Sequence, residues 1–269
     1  MIGSSRESLA ACREALEARR QEVGFDQLSS ALFAVASVLD AESALRSVLA
    51  DSGQPHTVRE SLVRQVFGGK VSELTIDMVV FVTGRRWATA LDMVLALEQL
   101  ADQAAFAVAD AQGSLDATEE ELFRFGRAVD ASPDLQMALT DPAQSTATKS
   151  KIVADLLEGR TTSATAEVLQ YAVGHLHGRR IDSVIDELCA LAAQQRERVV
   201  AEVRVAAPLD ADQQRRLAEA LSKLKGRTVR LNVAVDPAVL GGVHVRIGDE
   251  VIDGTVAARM ENASRAILG

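Results

Sequence analysis

The sequence repeats itself, and this repeat constrains the fold more than any other feature. When the chain is shifted by 90 residues, many identical residues coincide. The coinciding pairs are Leu32 and Leu122, Phe33 and Phe123, Asp40 and Asp130, Ala41 and Ala131, Leu45 and Leu135, Leu49 and Leu139, Asp51 and Asp141, Gln54 and Gln144, and Gly69 and Gly159. A four-residue insertion then changes the offset to 94, which aligns residues 84–86 with 178–180. A repeat of this kind indicates two related copies of one structural unit.

The apolar pattern follows the same alignment. Six residues of the second copy are spaced as one face of a helix: Ile181, Val184, Ile185, Leu188, Cys189 and Ala192. Their counterparts are Trp87, Ala90, Leu91, Val94, Leu95 and Glu98, so five of the six positions stay non-polar. Alanine and leucine dominate the composition and aromatic residues are only 3%, which favours helix over sheet. Each copy is therefore predicted to be a small globular bundle of five or six short amphipathic helices.

The helices of both copies can be placed approximately. Those of the first copy are predicted at Ser4–Arg20, Asp26–Leu39, Thr57–Phe67, 71–83 and 86–108. Those of the second copy are predicted at Thr118–Asp130, 134–140, 145–157, 163–176 and 180–198. The first helix of the second copy is not evident, because the residues before Thr118 belong to the last helix of the first copy. No heptad pattern is sustained, so a coiled coil is not expected.

From Val199 onward the hydrophobic period changes from helical to alternating. Alternation over residues 199–207, 229–235 and 243–247 predicts three strands, and 210–225 returns to a helical pattern. A short strand at 251–252 and a closing helix from Thr255 to about Leu268 complete a β-α-β-β-α module. The predicted fold is mainly α with a small α/β C-terminal domain. Its predicted domains are 1–112 for copy one, 113–198 for copy two and 199–269 for the α/β module.

Charge and composition exclude several classes of protein. The net charge of −9 argues against binding to a nucleic-acid backbone. The longest stretch without a charged residue, Gln27 to Leu39, is 13 residues long and too short to cross a bilayer. Two cysteines, Cys12 and Cys189, form no disulfide framework and suit a reducing cytoplasm. Residues 199–269 carry a net charge of +1, so the two helical copies together carry −10.

No catalytic, cofactor-binding or metal-binding motif is found. His175 and His177 are two residues apart, and on a helix such residues point in different directions, so surface or core histidines are the preferred interpretation. Cys189 lies on the apolar stripe and is interpreted as a core residue rather than a nucleophile. Residues 68–70 lack the spacing of a phosphate-binding loop. The arginine pairs at 85–86 and 179–180 fit either a partner-binding patch or ordinary surface. The sequence therefore predicts a non-catalytic protein.

Residues 231–255 read LNVAVDPAVLGGVHVRIGDEVIDGT and continue as VAARMENASRAILG. This C-terminal sequence resembles the F-type ATP synthase delta subunit family, which includes the mitochondrial oligomycin sensitivity-conferring protein. The positions that match the family pattern, with an expected structural role, are Asp236, Gly241, Gly242, Gly248, Asp249, Ile252, Asp253, Gly254 and Thr255. The resemblance covers about Thr118–Gly269. The chain departs from the usual pattern by its extra N-terminal bundle, as we expect of the long actinobacterial form, and by a first helix that lacks the usual Tyr-Ala-x-Ala-aromatic motif.

The resemblance implies a function without catalysis. A delta subunit belongs to the peripheral stalk, or stator, and joins the N-terminal helices of the alpha subunits to the C-terminal ends of the b subunits. One copy per complex is expected, at the cytoplasmic face of the cell membrane, with no direct insertion into the bilayer, no cofactor and no nucleic acid. The alternative from the repeat alone is a helical adaptor or scaffold unrelated to ATP synthase. Whether both helical copies hold an alpha-subunit helix, or only one does, is open at this point.

Overall fold

The chain forms two compact units, 1–195 and 196–269. The structure, a computed structural model, describes residues 3–196, 199–225, 229–236, 239, 242–247 and 250–253. The first unit is helical and the second combines helix with a small sheet. The predicted fold class, mainly α with a small α/β C-terminal domain, is confirmed. Within the described residues no single helix is long and apolar enough to span a membrane, and only Phe25–Ala41 with Ser43–Ala50, taken together across a 107° bend, pass that test.

The helices of the first unit follow the sequence repeat. Its described part contains α1 (Ser4–Ala18), α2 (Leu28–Ala41), α3 (Ser43–Ala50), α4 (His56–Phe67), α5 (Glu73–Thr83), α6 (Ala90–Ala111), α7 (Leu115–Ala131), α8 (Pro133–Thr140), α9 (Thr146–Leu157), α10 (Ser163–Gly174) and α11 (Ile181–Arg196). Helices α3, α4 and α5 each begin 90 residues before α8, α9 and α10. The repeat read from residue identities is therefore a repeat of helix boundaries as well. The sequence prediction lacked α3, which is only 8 residues long.

Equivalent helices begin with equivalent caps. The Ser72 hydroxyl accepts a hydrogen bond from the Thr75 backbone N–H at the start of α5 (3.3 Å), and Thr162 accepts one from the Thr165 N–H at the start of α10 (3.2 Å). Such caps satisfy a backbone donor that has no partner within the helix. In the second copy the Glu121 carboxylate of α7 also accepts from the Thr162 N–H at 2.9 Å, which ties α7 to the start of α10.

Both copies contribute to one continuous apolar core. Helix α6 lies at its centre, and thirteen of its residues are buried. Because these residues surround the whole helix rather than form one stripe, α6 packs against helices of both copies. The long helix α2 packs along α6 on the copy-one side, and α10 packs against α6 on the copy-two side. The division of this unit into two domains at 112/113 remains a prediction.

The second unit contains a four-stranded mixed sheet. Its described elements are β1 (Val199–Val205), α12 (Ala211–Lys225), β2 (Val229–Val235), β3 (Val243–Ile247) and β4 (Glu250–Asp253), and the strand order is β2-β1-β3-β4. Strands β1 and β2 are parallel, with α12 as the crossover, and β3 runs antiparallel to β1 and β4. Ala201, Val203, Val245 and Leu221 belong to its separate core. The predicted closing helix at 255–268 lies outside the described residues.

Candidate functional site

Helix α6 also takes the position of the missing first helix of copy two. At the offset of 90, Leu16 of α1 corresponds to Phe106 of α6, and these side chains are 1% and 0% exposed. Phe25 and Leu115, which follow these helices, also correspond and are both buried. The second half of α6 therefore packs in copy two as α1 packs in copy one. One helix closes the first bundle and opens the second.

A cavity of about 380 Å³ lies in the first unit where α1, α6, α10 and α11 meet. We refer to this cavity as the copy-two seam, because three of its four walls correspond to the first, fifth and last helices of copy two. Its lining comprises Arg6, Leu9, Arg13, Leu95, Glu98, Gln99, Asp102, Tyr171, Ala172, His175, Arg179, Val184, Glu187, Leu188 and Leu191. Apolar side chains thus alternate with charged ones along the seam, a composition that suits a protein partner with an apolar stripe and polar flanks.

The charged side chains of the seam are not equally paired. Arg179 donates to Glu187 at 2.9 Å, and Arg6 and Arg13 stand on the α1 wall. Asp102 forms no hydrogen bond and no ion pair with any described residue. Burial, followed by the negative charge of Glu98, raises the pKa of the Asp102 carboxyl well above its ordinary value, and the positive charge of Arg179 opposes this shift. The seam therefore contains a carboxyl group without a partner of its own. The side-chain oxygen of Gln99, Oε1, can accept two hydrogen bonds, and it is also buried without a partner.

The equivalent seam of copy one is closed by small or apolar side chains. Ser5 of α1 donates to Asp92 of α6 at 2.7 Å and accepts from the Ala88 N–H at 2.8 Å. Ser8 donates to the Arg86 carbonyl at 2.7 Å, and Cys12 is fully buried. At the offset of 90 these three α1 residues correspond to positions on α6 that carry larger or charged side chains. The three α6 residues are Leu95, Glu98 and Asp102.

A buried polar cluster beside the seam joins the two copies. Glu98 is 6% exposed, and its Oε1 accepts hydrogen bonds from the Tyr171 hydroxyl at 2.9 Å and from His177 Nε2 at 2.8 Å. Asp40 of α2 lies 3.7 Å from His177 Nδ1. The Tyr171 ring stacks on Phe33 of α2, with ring centroids 4.1 Å apart. Copy one is therefore attached to copy two by side chains of α2, α6, α10 and the segment after α10, and we refer to this group as the inter-copy cluster.

The titration of the inter-copy cluster follows from its contacts. The hydrogen bond to Glu98 raises the pKa of His177, and the charges of Glu98 and Asp40 act in the same direction against the effect of burial. Burial and the Glu98 carboxylate raise the pKa of Tyr171, so its hydroxyl stays a donor. His177 is therefore held in its charged form to a higher pH than a free histidine.

The residues singled out by sequence occupy structural positions. His175 and His177 lie beyond α10, which ends at Gly174, so the argument from helical directions does not apply to them. His175 Nδ1 lies 2.9 Å from the Tyr171 carbonyl, its ring stacks on the Tyr171 ring, and His177 contacts Glu98. Cys189 packs against the helical core, and burial raises the pKa of its thiol. The interpretation of the histidines as surface or core residues, and of Cys189 as a core residue, agrees with these contacts.

The family-motif residues of the C-terminal module are described in part. Asp236 follows β2, where its N–H donates to the Val205 carbonyl at 2.8 Å and its carboxylate lies 4.0 Å from Arg204. Gly242 has a φ of 82°, a left-handed conformation that favours glycine at the turn before β3. On β4, Ile252 pairs with Val245 and Asp253 with His244. Gly241, Gly248, Asp249, Gly254 and Thr255 lie outside the described residues. The structural role expected for this motif remains a prediction.

Sequence reasoning named Arg179 as part of a possible partner-binding patch, and Leu95, Val184 and Leu188 as stripe residues, but it did not bring them together in one seam. Glu98 entered the analysis only as the polar exception in the stripe of α6, and Asp102 not at all. Extending the offset of 90 back into α1 would have aligned Ser8 with Glu98 and Cys12 with Asp102. The signal that could have identified these residues was the presence of acidic side chains in a long apolar helix, at positions where the first copy has neutral side chains.

Comparison with known proteins gives the family. The family model for the ATP synthase delta (OSCP) subunit matches residues 101–267, so the match begins inside α6. ATP synthase subunit delta of Streptomyces griseus subsp. griseus is 41% identical over 271 residues, covering 100% of both chains. The subunits delta of Streptomyces avermitilis and Nocardia farcinica are 42% and 40% identical, covering 98% and 99% of this chain and 97% and 100% of their own length.

A chain from the cryo-EM structure of the Toxoplasma gondii mitochondrial ATP synthase hexamer aligns with 64% of this chain and 98% of its own. Its TM-score of 0.28 and identity of 19% are too low to support any argument. The family match and the full-length relatives are sufficient, because the first covers more than half of the chain and the second nearly all of it. The chain belongs to the ATP synthase delta (OSCP) subunit family, and it is a structural subunit of that membrane-associated complex rather than an enzyme.

Proposed function

We propose that this subunit joins the N-terminal helices of the alpha subunits to the C-terminal ends of the b subunits, as a stator protein at the cytoplasmic face of the cell membrane. One copy per complex prevents the catalytic head from turning with the rotor, so that rotor torque drives ATP synthesis. The subunit inserts no segment into the bilayer and needs no cofactor. The observation that carries the proposal is the copy-two seam, an open cavity in a helical unit of this family.

The copy-two seam supports the alpha-subunit part of the proposal. A groove between helices binds an amphipathic helix by taking up its apolar stripe. The seam has a volume of about 380 Å³; Leu95 is partly exposed in it, and Val184, Leu188 and Leu191 line it at 3–8% exposure. A stator contact has to persist through many turns of the rotor, so we expect an affinity of about 1 nM, or about −12 kcal/mol.

The C-terminal module supports the b-subunit part of the proposal. It has its own sheet and its own apolar core, separate from the core of the helical unit. Deletion of residues 199–269 is expected to abolish binding to the b subunits and to leave the binding of an alpha-subunit N-terminal helix intact. Pull-down with purified b-subunit soluble domains and calorimetry with the alpha peptide measure the two activities. Loss of alpha binding with retention of b binding would reverse the assignment.

The acidic excess of the helical copies supports an electrostatic contribution. With a net charge of −10 over 1–198, attraction to a basic partner helix is expected to weaken as salt screens the charges. Titration of the chain with the alpha peptide at about 0.05 M and 0.5 M salt measures this contribution. An affinity that is the same at both salt concentrations would contradict the electrostatic contribution and leave only apolar contact.

A further inference from the structure

We infer that residues 174–177 form a pH-sensitive strap between the two helical copies, which holds while His177 is charged and loosens when His177 loses its proton. The inference does not depend on which partners the subunit binds. It adds a response to pH in the connection between the copies.

The strap is the four-residue insertion that distinguishes copy two from copy one. Helices α5 and α10 begin 90 residues apart, whereas Gly84 and Gly178 align only at an offset of 94. Because α5 ends at Thr83, directly before Gly84, the four additional residues of copy two are 174–177, which read GHLH. Copy one therefore has no sequence counterpart of the strap.

Both histidines of the strap contact helices of copy one. His177 Nε2 lies 2.8 Å from the Glu98 carboxylate of α6, and His177 Nδ1 lies 3.7 Å from the Asp40 carboxylate of α2. His175 Nε2 lies 3.4 Å from the Ser37 hydroxyl, also on α2. The insertion therefore connects the end of α10 to copy one and does more than lengthen the loop before α11.

The backbone of the strap has an unfavourable conformation at His177. Its φ is 49°, and among the residues that the structure describes it is the only non-glycine residue with a positive φ. A residue with a Cβ atom is sterically disfavoured in this left-handed region. Such a conformation persists only when surrounding contacts hold it, and the contacts of the His177 ring with Glu98 and Asp40 do so here. Weaker pairing of the ring should therefore release the strap.

The charge of His177 determines the strength of this pairing. The side chains of His177 and Glu98 are both 8% exposed, so solvent screens their interaction only weakly. A hydrogen bond between charged groups is about twice as strong as a neutral one. When His177 is neutral, the buried Glu98 carboxylate keeps neutral donors such as the Tyr171 hydroxyl at 2.9 Å, and it loses its positive partner. A buried carboxylate in that situation is unfavourable, so the contact between the strap and α6 weakens.

The groups around His177 give the direction of the response. The hydrogen bond to Glu98, together with the charges of Glu98 and Asp40, raises the pKa of His177, while burial and the charge of Arg179 oppose this shift. The strap is therefore held at low pH and loosens as the pH rises through the raised pKa. The other titratable or charged groups of this region are Tyr171 of α10, Arg46 of α3 on Asp40, Asp102 of α6 beside Glu98, and His175 of the strap.

Hydrogen exchange of the full chain between about pH 6 and about pH 9 tests the inference. The observed rates are divided by the intrinsic exchange rates at each pH, so that the ratio reports local opening. We expect the protection of residues 174–180 and of the end of α2 to fall about tenfold over this interval, as a charged hydrogen bond is lost. Helix α4 should keep its protection. Constant protection of 174–180 would overturn the inference.

Three variants identify the titrating group. His177→Gln keeps a hydrogen-bond donor and cannot be charged, so we expect low protection of 174–180 at every pH. His175→Gln and Asp102→Asn are matched controls that remove other titratable groups of the same region, and both should keep the fall in protection with rising pH. A fall that persists in His177→Gln, or that disappears in either control, would overturn the role of His177.

The wild-type chain supplies an independent test that remains available if His177→Gln does not fold. The chain contains four histidines, so NMR titration can follow the ring signals of each one. The midpoint of the His177 titration should coincide with the midpoint of the loss of protection in 174–180. Midpoints that differ by more than about one pH unit would overturn the inference, because another group would then control the strap.

Discussion

The two copies of the repeat have the same helices in the same order, yet the side chains along their seams differ. In copy one, Ser5 and Ser8 of α1 hydrogen bond to Asp92 and Arg86 across the seam, and Cys12 packs without exposure. In copy two the corresponding surface is lined by larger and charged side chains. A duplicated bundle can therefore keep its architecture and change its binding capacity through a few residues of one helix.

The comparison also shows why the copies are not independent. Helix α6 is the last helix of copy one and supplies the first helix position of copy two, and the inter-copy cluster joins α2 to α10. A substitution in the part of α6 that packs in copy two should therefore also change the stability of copy one. The following predictions use this dependence to separate the two copies or to confirm that they form one unit.

The largest effect is expected from truncation of the shared helix. Phe106→Ala removes a fully buried aromatic ring and should destabilise the chain by about 4 kcal/mol, slightly more than Leu16→Ala at the equivalent position of α1, about 3 kcal/mol. The only tryptophan, Trp87, is 9% exposed and lies in copy one, so its fluorescence reports on that copy during urea unfolding. The Trp87 transition should move with Phe106→Ala. A helical signal that moves while the Trp87 transition stays would show that the copies unfold separately.

The second-largest loss of stability is expected from changes in the inter-copy cluster. Glu98→Ala leaves the Tyr171 hydroxyl and the buried His177 without their acceptor and should cost about 3 kcal/mol of stability. Ser8→Ala is the matched change in copy one, and it removes only one neutral hydrogen bond, for about 1 kcal/mol. Urea midpoints of the two variants give the comparison. Equal costs would show that the cluster contributes no more than an ordinary hydrogen bond.

A smaller effect is expected from pH. Because the folded pKa of His177 is raised, its pairing with Glu98 and Asp40 stabilises the fold fully below about pH 6.5. This contribution is lost as the pH rises through the raised pKa of the folded state. The difference in unfolding free energy between the wild type and His177→Gln should therefore shrink over that pH interval. Other titrating groups, such as Asp102, are present in both proteins, so their effects on stability cancel in the difference. A difference that grows with pH would contradict the assignment.

The smallest effect is expected on the surface of copy one. Arg64 contacts Glu60 and Asp77 at 3.2 Å and Glu73 at 3.1 Å, and its own side chain is 44% exposed. Copy two has Ala154 at the equivalent position and lacks this arginine. Arg64→Ala should change the urea midpoint by less than about 1 kcal/mol, because exposed ion pairs contribute little. A larger loss would mean that the two copies differ in stability through their surfaces as well as their seams.

Much of the fold followed from periodicity, and the parts that did not have physical reasons. The repeat, the ends of α4 and α5 and the change to strands after Val199 were visible because apolar spacing and identities agreed. Helix α3 was missed although its counterpart α8, of the same length and with one buried side chain, was predicted, because α8 begins with the Ser132 cap and Pro133 whereas α3 has no side-chain cap. The first helix of copy two was not recognised because the second half of α6 takes its place. Helix α6 is buried on all sides, so the residues that face copy two do not form a separate apolar stripe in the sequence.

The candidate site could be predicted only in kind. An alpha-subunit helix on one or both copies was expected from the resemblance, but the residues of the seam come from four helices that are distant in sequence, from Arg6 to Leu191. Which copy remains open depends on whether a side chain such as Cys12 or Asp102 meets its own bundle or a cavity, and that depends on packing. The pairing of Glu98 with His177 likewise requires the end of α10 at Gly174, which spacing did not reveal.

Hydrogen exchange of the full chain, with and without the alpha-subunit peptide, tests the central claim most directly. The account predicts that the peptide slows exchange in α10 and α11 and in the part of α6 around Asp102, while α5 of copy one exchanges at an unchanged rate. The two copies provide internal controls for each other, since α5 and α10 are equivalent helices. Slower exchange in α5 with an unchanged rate in α10 would contradict the placement of the alpha-subunit helix in the copy-two seam.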